Sequence, residues 1–202
     1  MLKYNCSKAQ SFIGGCMNNT NLIETEQLTE KKKMILYFFV YAFLGWILET
    51  IYCIATLGVF NKRGFLYGPI CPIYGFGAII LIECLKNIKA NKIGKFFIAM
   101  VAFTAFEYIV SAVLEELFGL RWWDYTNEPL NFQGRISLPF SIAWGTIGVI
   151  FVERIHPFIK RKIERYTMLI NKKYKSIILY GLVIIAVIDF LLSIAKYINI
   201  MK

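Results

Sequence analysis

Five long apolar runs, set apart by blocks rich in Lys and Arg, constrain this chain more than any other feature of its sequence. A run of about twenty apolar residues is long enough to cross ~30 Å of hydrocarbon as a helix. The runs are Met34 to about Leu57, about Leu66 to Leu85, Phe96 to Phe118, Leu138 to about Ile155, and Ile177 to about Ile198. Composition agrees, because 57% of the 202 residues are hydrophobic, only 18% are charged and the mean hydropathy is +0.55, which is too apolar for a soluble domain of this length. The expected fold class is all-α, a polytopic membrane protein with about five transmembrane helices in residues 34–200. Residues 1–33 are mostly polar and are expected to form a disordered cytoplasmic tail without a cleavable leader. The folded part is expected to begin at Met34.

The formal charge of +10 does not point to nucleic acid, since the basic residues sit in blocks between apolar runs and form no stripe along one face. They work as topology signals. Fifteen Lys and Arg fall on one side, in Lys31–Lys33, Lys86–Lys95 and Arg154–Lys175, against six on the other. That asymmetry assigns the N-terminus to the inside and the C-terminus to the outside of a cytoplasmic membrane. Trp122, Trp123 and Tyr125 then fall at the outer interface, in a turn-rich loop from Leu120 to Ser137 that can fold over the membrane surface as a cap. Between His156 and Lys175, apolar residues near helical spacing alternate with Lys and Arg. This is the pattern of a basic amphipathic helix lying on the anionic leaflet, or of a docking element for a cytoplasmic partner.

Within the second run, Arg63 to Gly77 reads RGFLYGPICPIYGFG. Pro69 and Pro72 each lack an N–H and crowd the preceding turn, and the glycines around them loosen the backbone. A kinked or broken helix is expected. In hydrocarbon the freed carbonyls have no water to bond, so such a break survives only inside protein or beside a wet cavity and is a pointer to a binding site. The other reading is that Pro and Gly serve helix packing alone.

Carboxylates at membrane depth are costly and face the bundle interior by default. Glu49, Glu107 and Asp189 are the deep ones. Glu107, Ser111 and Glu115 recur every fourth residue and form one polar stripe, fit to conduct protons or hold a cation. The alternative is that these acids are hydrogen-bonded struts of the bundle. In the fourth run Ser141, Gly145 and Gly148 put small residues on one face. Trp144, deep in the same run, either lines a cavity or fills core.

Other chemistries are argued against. One histidine, His156, cannot build a two-His metal set, the five cysteines show no CxxC pair, and no GxxxxGK[ST] stretch occurs. No enzyme activity, no cofactor and no metal are expected.

Phe43 to Tyr52 (FLGWILETIY), the Arg63 to Gly77 block, Glu107 Tyr108, Trp123 Asp124 Tyr125, Asn131, Gly134, Ile136, Ser141 through Trp144 Gly145, and His156 Pro157 together resemble the bacterial family described as putative ABC-transporter type IV, also called CmpB-like. The likeness covers about residues 35 to 160. It implies a permease-like protein of the bacterial cytoplasmic membrane that works with a separate ATPase subunit. Transport on this reading brings an ion or substrate against the broken second helix, at Tyr67, Pro69, Pro72 and Tyr74. From there it meets Glu49, Glu107, Ser111 and Trp144, with Arg63, Trp123, Asp124 and Tyr125 shaping the outer mouth. The alternative is a non-transporting membrane scaffold or regulatory protein that binds a cytoplasmic partner through residues 156–175. Partners on either reading are the lipid bilayer and, with oligomeric state open, a second copy of the chain.

Overall fold

A computed structural model of the chain describes residues 28–60, 64–86, 88–119 and 121–200. The expected tail lies outside the described residues up to position 27. Helix α1, Glu30–Leu57, starts ahead of Met34, opened by a Glu30–Lys33 ion pair of 2.9 Å and closed by Gly58 in the left-handed region (φ 69°). Its 28 residues measure about 42 Å at ~1.5 Å each.

The expected kink in the second run is instead a start. Residues 64–71 take no regular structure, and helix α2, Pro72–Lys86, opens on its own proline. Proline costs nothing at a first helical position, where its N–H would have no partner, and it pushes the preceding residue out of helical conformation. The 15 residues of α2 reach only about 22 Å, so the irregular stretch before it makes up the depth.

Helix α3, Lys92–Phe118, is capped by the Asn91 side chain, which accepts from the Gly94 N–H at 2.8 Å, and ends on Gly119 (φ 60°). The following connection carries a two-stranded antiparallel hairpin, β1 Asn131–Phe132 and β2 Ile136–Ser137. Helix α4, Leu138–Ile150, runs through a π turn, Phe151–Ile155, directly into α5, His156–Met168. The basic stretch expected as a separate surface helix is therefore the prolongation of a membrane helix. Pro157 explains the π turn: its ring would collide with the carbonyl of Glu153 in a regular helix, and a wider turn relieves the clash. The chain breaks at Leu169–Asn171, and α6, Lys172–Ile200, completes the fold.

Four helical stretches, Glu30–Thr56, Lys92–Phe118, Leu138–Met168 and Lys173–Asn199, are long and apolar enough to cross a membrane, and the apolar helix Pro72–Leu85 is shorter. Large side chains such as Ile51, Val101, Ile147, Ile184, Ile185 and Leu191 point outward, a surface that water would not tolerate. The chain is an all-α polytopic membrane protein.

Contacts sort the helix ends into two groups. Lys32 of α1 bonds Ser176 of α6 (2.9 Å), Lys95 of α3 pairs with Glu153 (3.1 Å), and Tyr41 lies against His156, so the Lys and Arg blocks collect at one end of the bundle. Phe65, Phe118, Trp122 and Tyr197 form a ring cluster at the opposite, cap end. Nearer the basic end lies the main core, where Tyr37, Tyr41, Leu81, Leu85, Ala99 and Phe151 pack together.

The small face of α4 meets α3. Ser141, Gly145 and Gly148 are buried there, and a Cβ on Gly148 would sit 2.5 Å from the Ala99 methyl and near Leu81. Replacing Gly148 with Val should destabilise the detergent-solubilised protein by about 1–3 kcal/mol, seen as a lower thermal midpoint. An unchanged midpoint would mean that α3 and α4 do not pack this closely.

Candidate functional site

Gly45 and Glu49 lie one turn apart on α1. The Tyr74 ring rests against the bare backbone at Gly45, where any Cβ would collide with it, and its hydroxyl donates to Glu49 Oε1 at 2.6 Å. A glycine on one helix thus lets a tyrosine on the next reach across to a carboxylate.

Glu107 sits mid-way along α3 and is only 6% exposed. Tyr125, from the cap, donates to its Oε1 at 2.8 Å, and the Trp144 indole N–H of α4 donates to its Oε2 at 3.2 Å. Both donors are held by stacking, Trp144 on Phe103 (5.2 Å between centroids) and Tyr125 on Phe140 (4.4 Å). Neither Glu49 nor Glu107 forms an ion pair among the described residues. The Tyr125 hydroxyl is pushed above its ordinary range by burial first, then by Glu107, with Glu49 and Glu128 adding to it. Ser111, the next position of the polar stripe, is buried as well.

The stripe changes character at its third member. Glu115 accepts from Arg121 Nε at 2.9 Å and from an Arg135 terminal nitrogen at 2.7 Å. Arg135 also bonds Gln133, whose side-chain oxygen accepts from Tyr108 at 2.9 Å. Asp124 accepts from the Thr126 N–H at 2.9 Å and lies 3.7 Å from Arg121. Its carboxyl is held below the usual range by the Thr126 bonds first and Arg121 after. Gly134 (φ 66°) has no space for a Cβ among Thr126, Asp124 and Arg121, and its carbonyl accepts from the Tyr125 N–H at 2.8 Å. That bond aims Tyr125 down at Glu107.

Asp189, at the centre of α6, has a separate task. Its two oxygens accept from the backbone N–H of Tyr67 (2.8 Å) and of Gly68 (2.7 Å), and the Ser193 hydroxyl lies 3.3 Å from one of them. A side chain on Gly68 would strike the carboxylate. Cys71 N–H donates to the Ala42 carbonyl at 2.9 Å. The irregular stretch ahead of α2 thereby bonds its amides to protein.

The sequence-predicted residues divide accordingly. Glu49, Tyr74, Glu107, Ser111, Tyr125 and Trp144 gather around the two acids. Tyr67 and Pro69 are exposed, Tyr67 with its N–H on Asp189, and Pro72 opens α2. Trp123 donates from its indole to the Arg135 carbonyl at 3.1 Å and so holds the cap, and Asp124 is exposed on it. Arg63 lies outside the described residues. Sequence reasoning missed the role of Asp189, although a lone acid inside an apolar run was the available signal. Phe103 and Phe140, one-sided aromatic supports, gave none.

The sequence profile of the family described as "Putative ABC-transporter type IV" matches residues 36–194. The chain belongs to that family. The match reaches past the expected limit near residue 160, so most of α6, with Asp189, lies within it. No curated protein and no solved structure matches the chain significantly.

Replacing Asp189 with Ala strands two N–H groups in an apolar setting, at a cost on the order of 2 kcal/mol or more. Limited proteolysis should then cut within residues 64–71, where the parent chain resists. Equal resistance in both would show that the carboxylate does not hold this stretch.

Proposed function

We propose that this protein is a transport component of the bacterial cytoplasmic membrane, not an enzyme, that works with a separate ATPase subunit and carries its ion or substrate past Glu49 and Glu107. The observation that carries this reading is the uncompensated state of Glu107. A carboxylate at mid-span, 6% exposed and met among the described residues only by a phenol and an indole, is retained at a cost that a purely structural helix avoids. Family membership supports the connection with ABC transport. The gathering of Lys and Arg at one end supports an N-terminus inside and a C-terminus outside. The cap, pinned to Glu115 by two arginines, lies over the acids on the outer side in this orientation.

Glu107→Gln keeps the side-chain volume and removes the charge. In cells lacking the native chain, this variant at normal membrane level should reduce the solute flux restored by the parent about tenfold or more, measured as uptake and efflux of the cellular solute pool by mass spectrometry. An identical flux profile removes the transport reading.

One observation favours a second reading. Tyr74 bonds Glu49, and Tyr125 and Trp144 bond Glu107, so the acids stand as hydrogen-bonded struts between the helices and the cap. On that reading the protein is a scaffold whose exposed α5 binds a cytoplasmic partner. Charge reversal at Arg161, Lys162 and Arg165 would then release a copurifying protein while flux stays unaffected.

A further inference from the structure

Two grooves adjoin at the basic end, on one side of the continuous α4–α5 rod. The first, about 450 Å³, lies between α3 and α4 and is walled by Ile93, Phe96, Phe97, Val149 and Ile150, with Lys92 at the first residue of α3. The second, about 530 Å³, is lined by Glu153, Arg154, Pro157, Phe158 and Arg161. Lys92 lines the first groove and Glu153 the second, and the two side chains come within 3.9 Å, so the grooves meet at this pair, beside the π turn. Glu153 marks the junction, held by Lys95 at 3.1 Å and approached by Lys92 at 3.9 Å. The apolar groove thus leads, across this pair, into a cationic one.

Two of the cations are uncommitted. Arg154 and Arg161, seven positions apart on the same groove, form no ion pair among the described residues, and the nearby Lys162 nitrogen lies 5.6 Å from the Phe158 ring centroid. The only acid lining the groove, Glu153, is already neutralised. A planar guanidinium bonds phosphate oxygens through paired N–H groups, and a partly apolar surround strengthens that attraction.

We propose that the joined grooves hold one phospholipid with an anionic headgroup, its acyl chain against Phe96, Phe97 and Val149 and its phosphate between Arg154 and Arg161. The pairing of an apolar slot inside the membrane-crossing part of α3 and α4 with a cationic slot just beyond it matches an amphiphile and not a soluble anion. A zwitterionic headgroup would bring its own cation against the two arginines. This site is separate from the two acids and does not depend on the transport reading.

The test is native mass spectrometry of the full chain in mild detergent, with phosphatidylglycerol and phosphatidylcholine of identical chains supplied at equal concentration. Phosphatidylglycerol should be retained at least about tenfold over phosphatidylcholine. The double variant Arg154→Gln, Arg161→Gln should lose roughly that factor, and Arg154→Lys, Arg161→Lys should lose less, since charge remains without the planar fork. Ile150→Trp, which fills the apolar groove, should weaken retention of both lipids. Equal retention of the two lipids, or undiminished phosphatidylglycerol on the double glutamine variant, overturns the proposal. So does a double variant that keeps its lipid and loses a copurifying protein, which would make this face a protein-docking surface.

Discussion

An irregular backbone inside an apolar bundle must have every N–H answered by protein, and in this molecule one carboxylate answers two of them. Asp189 takes the amides of Tyr67 and Gly68 at 2.8 and 2.7 Å, at the place where Pro69 and Pro72 deny the chain a helix. Two proline rings force extended conformation, extension frees amides, and freed amides need acceptors that lipid does not provide. Gly68 is the corollary, because only a residue without Cβ lets the carboxylate come this close. The last helix is consequently more than a membrane anchor. Its outward face is apolar nearly all round, and its hold on the bundle rests on Asp189, Ser193, Leu179, the Lys32 contacts and the rings around Phe65.

The short α2 follows from the same constraint. With its first turn set by Pro72, Tyr74 falls on the side of α1 where Gly45 leaves the backbone bare, and the Tyr74–Glu49 bond forms across that gap. The acid site is therefore placed by small residues and prolines as much as by the acids. Substituting any of them would move the phenol before it changed the charge.

Much of the fold was legible because apolar run length is a strong signal in a medium that forbids unsatisfied backbone. The five apolar stretches, the close-packing face at Ser141, Gly145 and Gly148, and the depth of Glu107 follow from period and run length alone. Three features were not legible, each for a definable reason. Helix ends lie outside the apolar runs at Glu30, Lys92 and Lys172, since charged residues end an apolar run while the helix continues through them into the interface. Pro157 reads as a stop by rule, yet a π turn absorbs it and α5 continues α4. The split of Tyr67 and Pro69 from Tyr74, a few residues away, depends on where the helix begins, which no periodicity marks.

The two ends of the bundle differ in what it would take to open them. Toward the basic end lies the buried cluster of Tyr37, Tyr41, Leu81, Leu85, Ala99 and Phe151, whose separation exposes apolar area to water at ~25 cal/mol per Å². Toward the cap end the acids are covered by Tyr125 and by ion pairs among Arg121, Arg135, Glu115 and Asp124, in part exposed, which exchange protein partners for water at little net cost. The hydrogen bond from Tyr125 to Glu107 ties the two together, since lifting the cap withdraws one of the two donors from the carboxylate. Any movement that admits water to Glu107 along the easier route thus also removes one of the carboxyl's two donors, which couples access to the bonding of the acid through a single phenol.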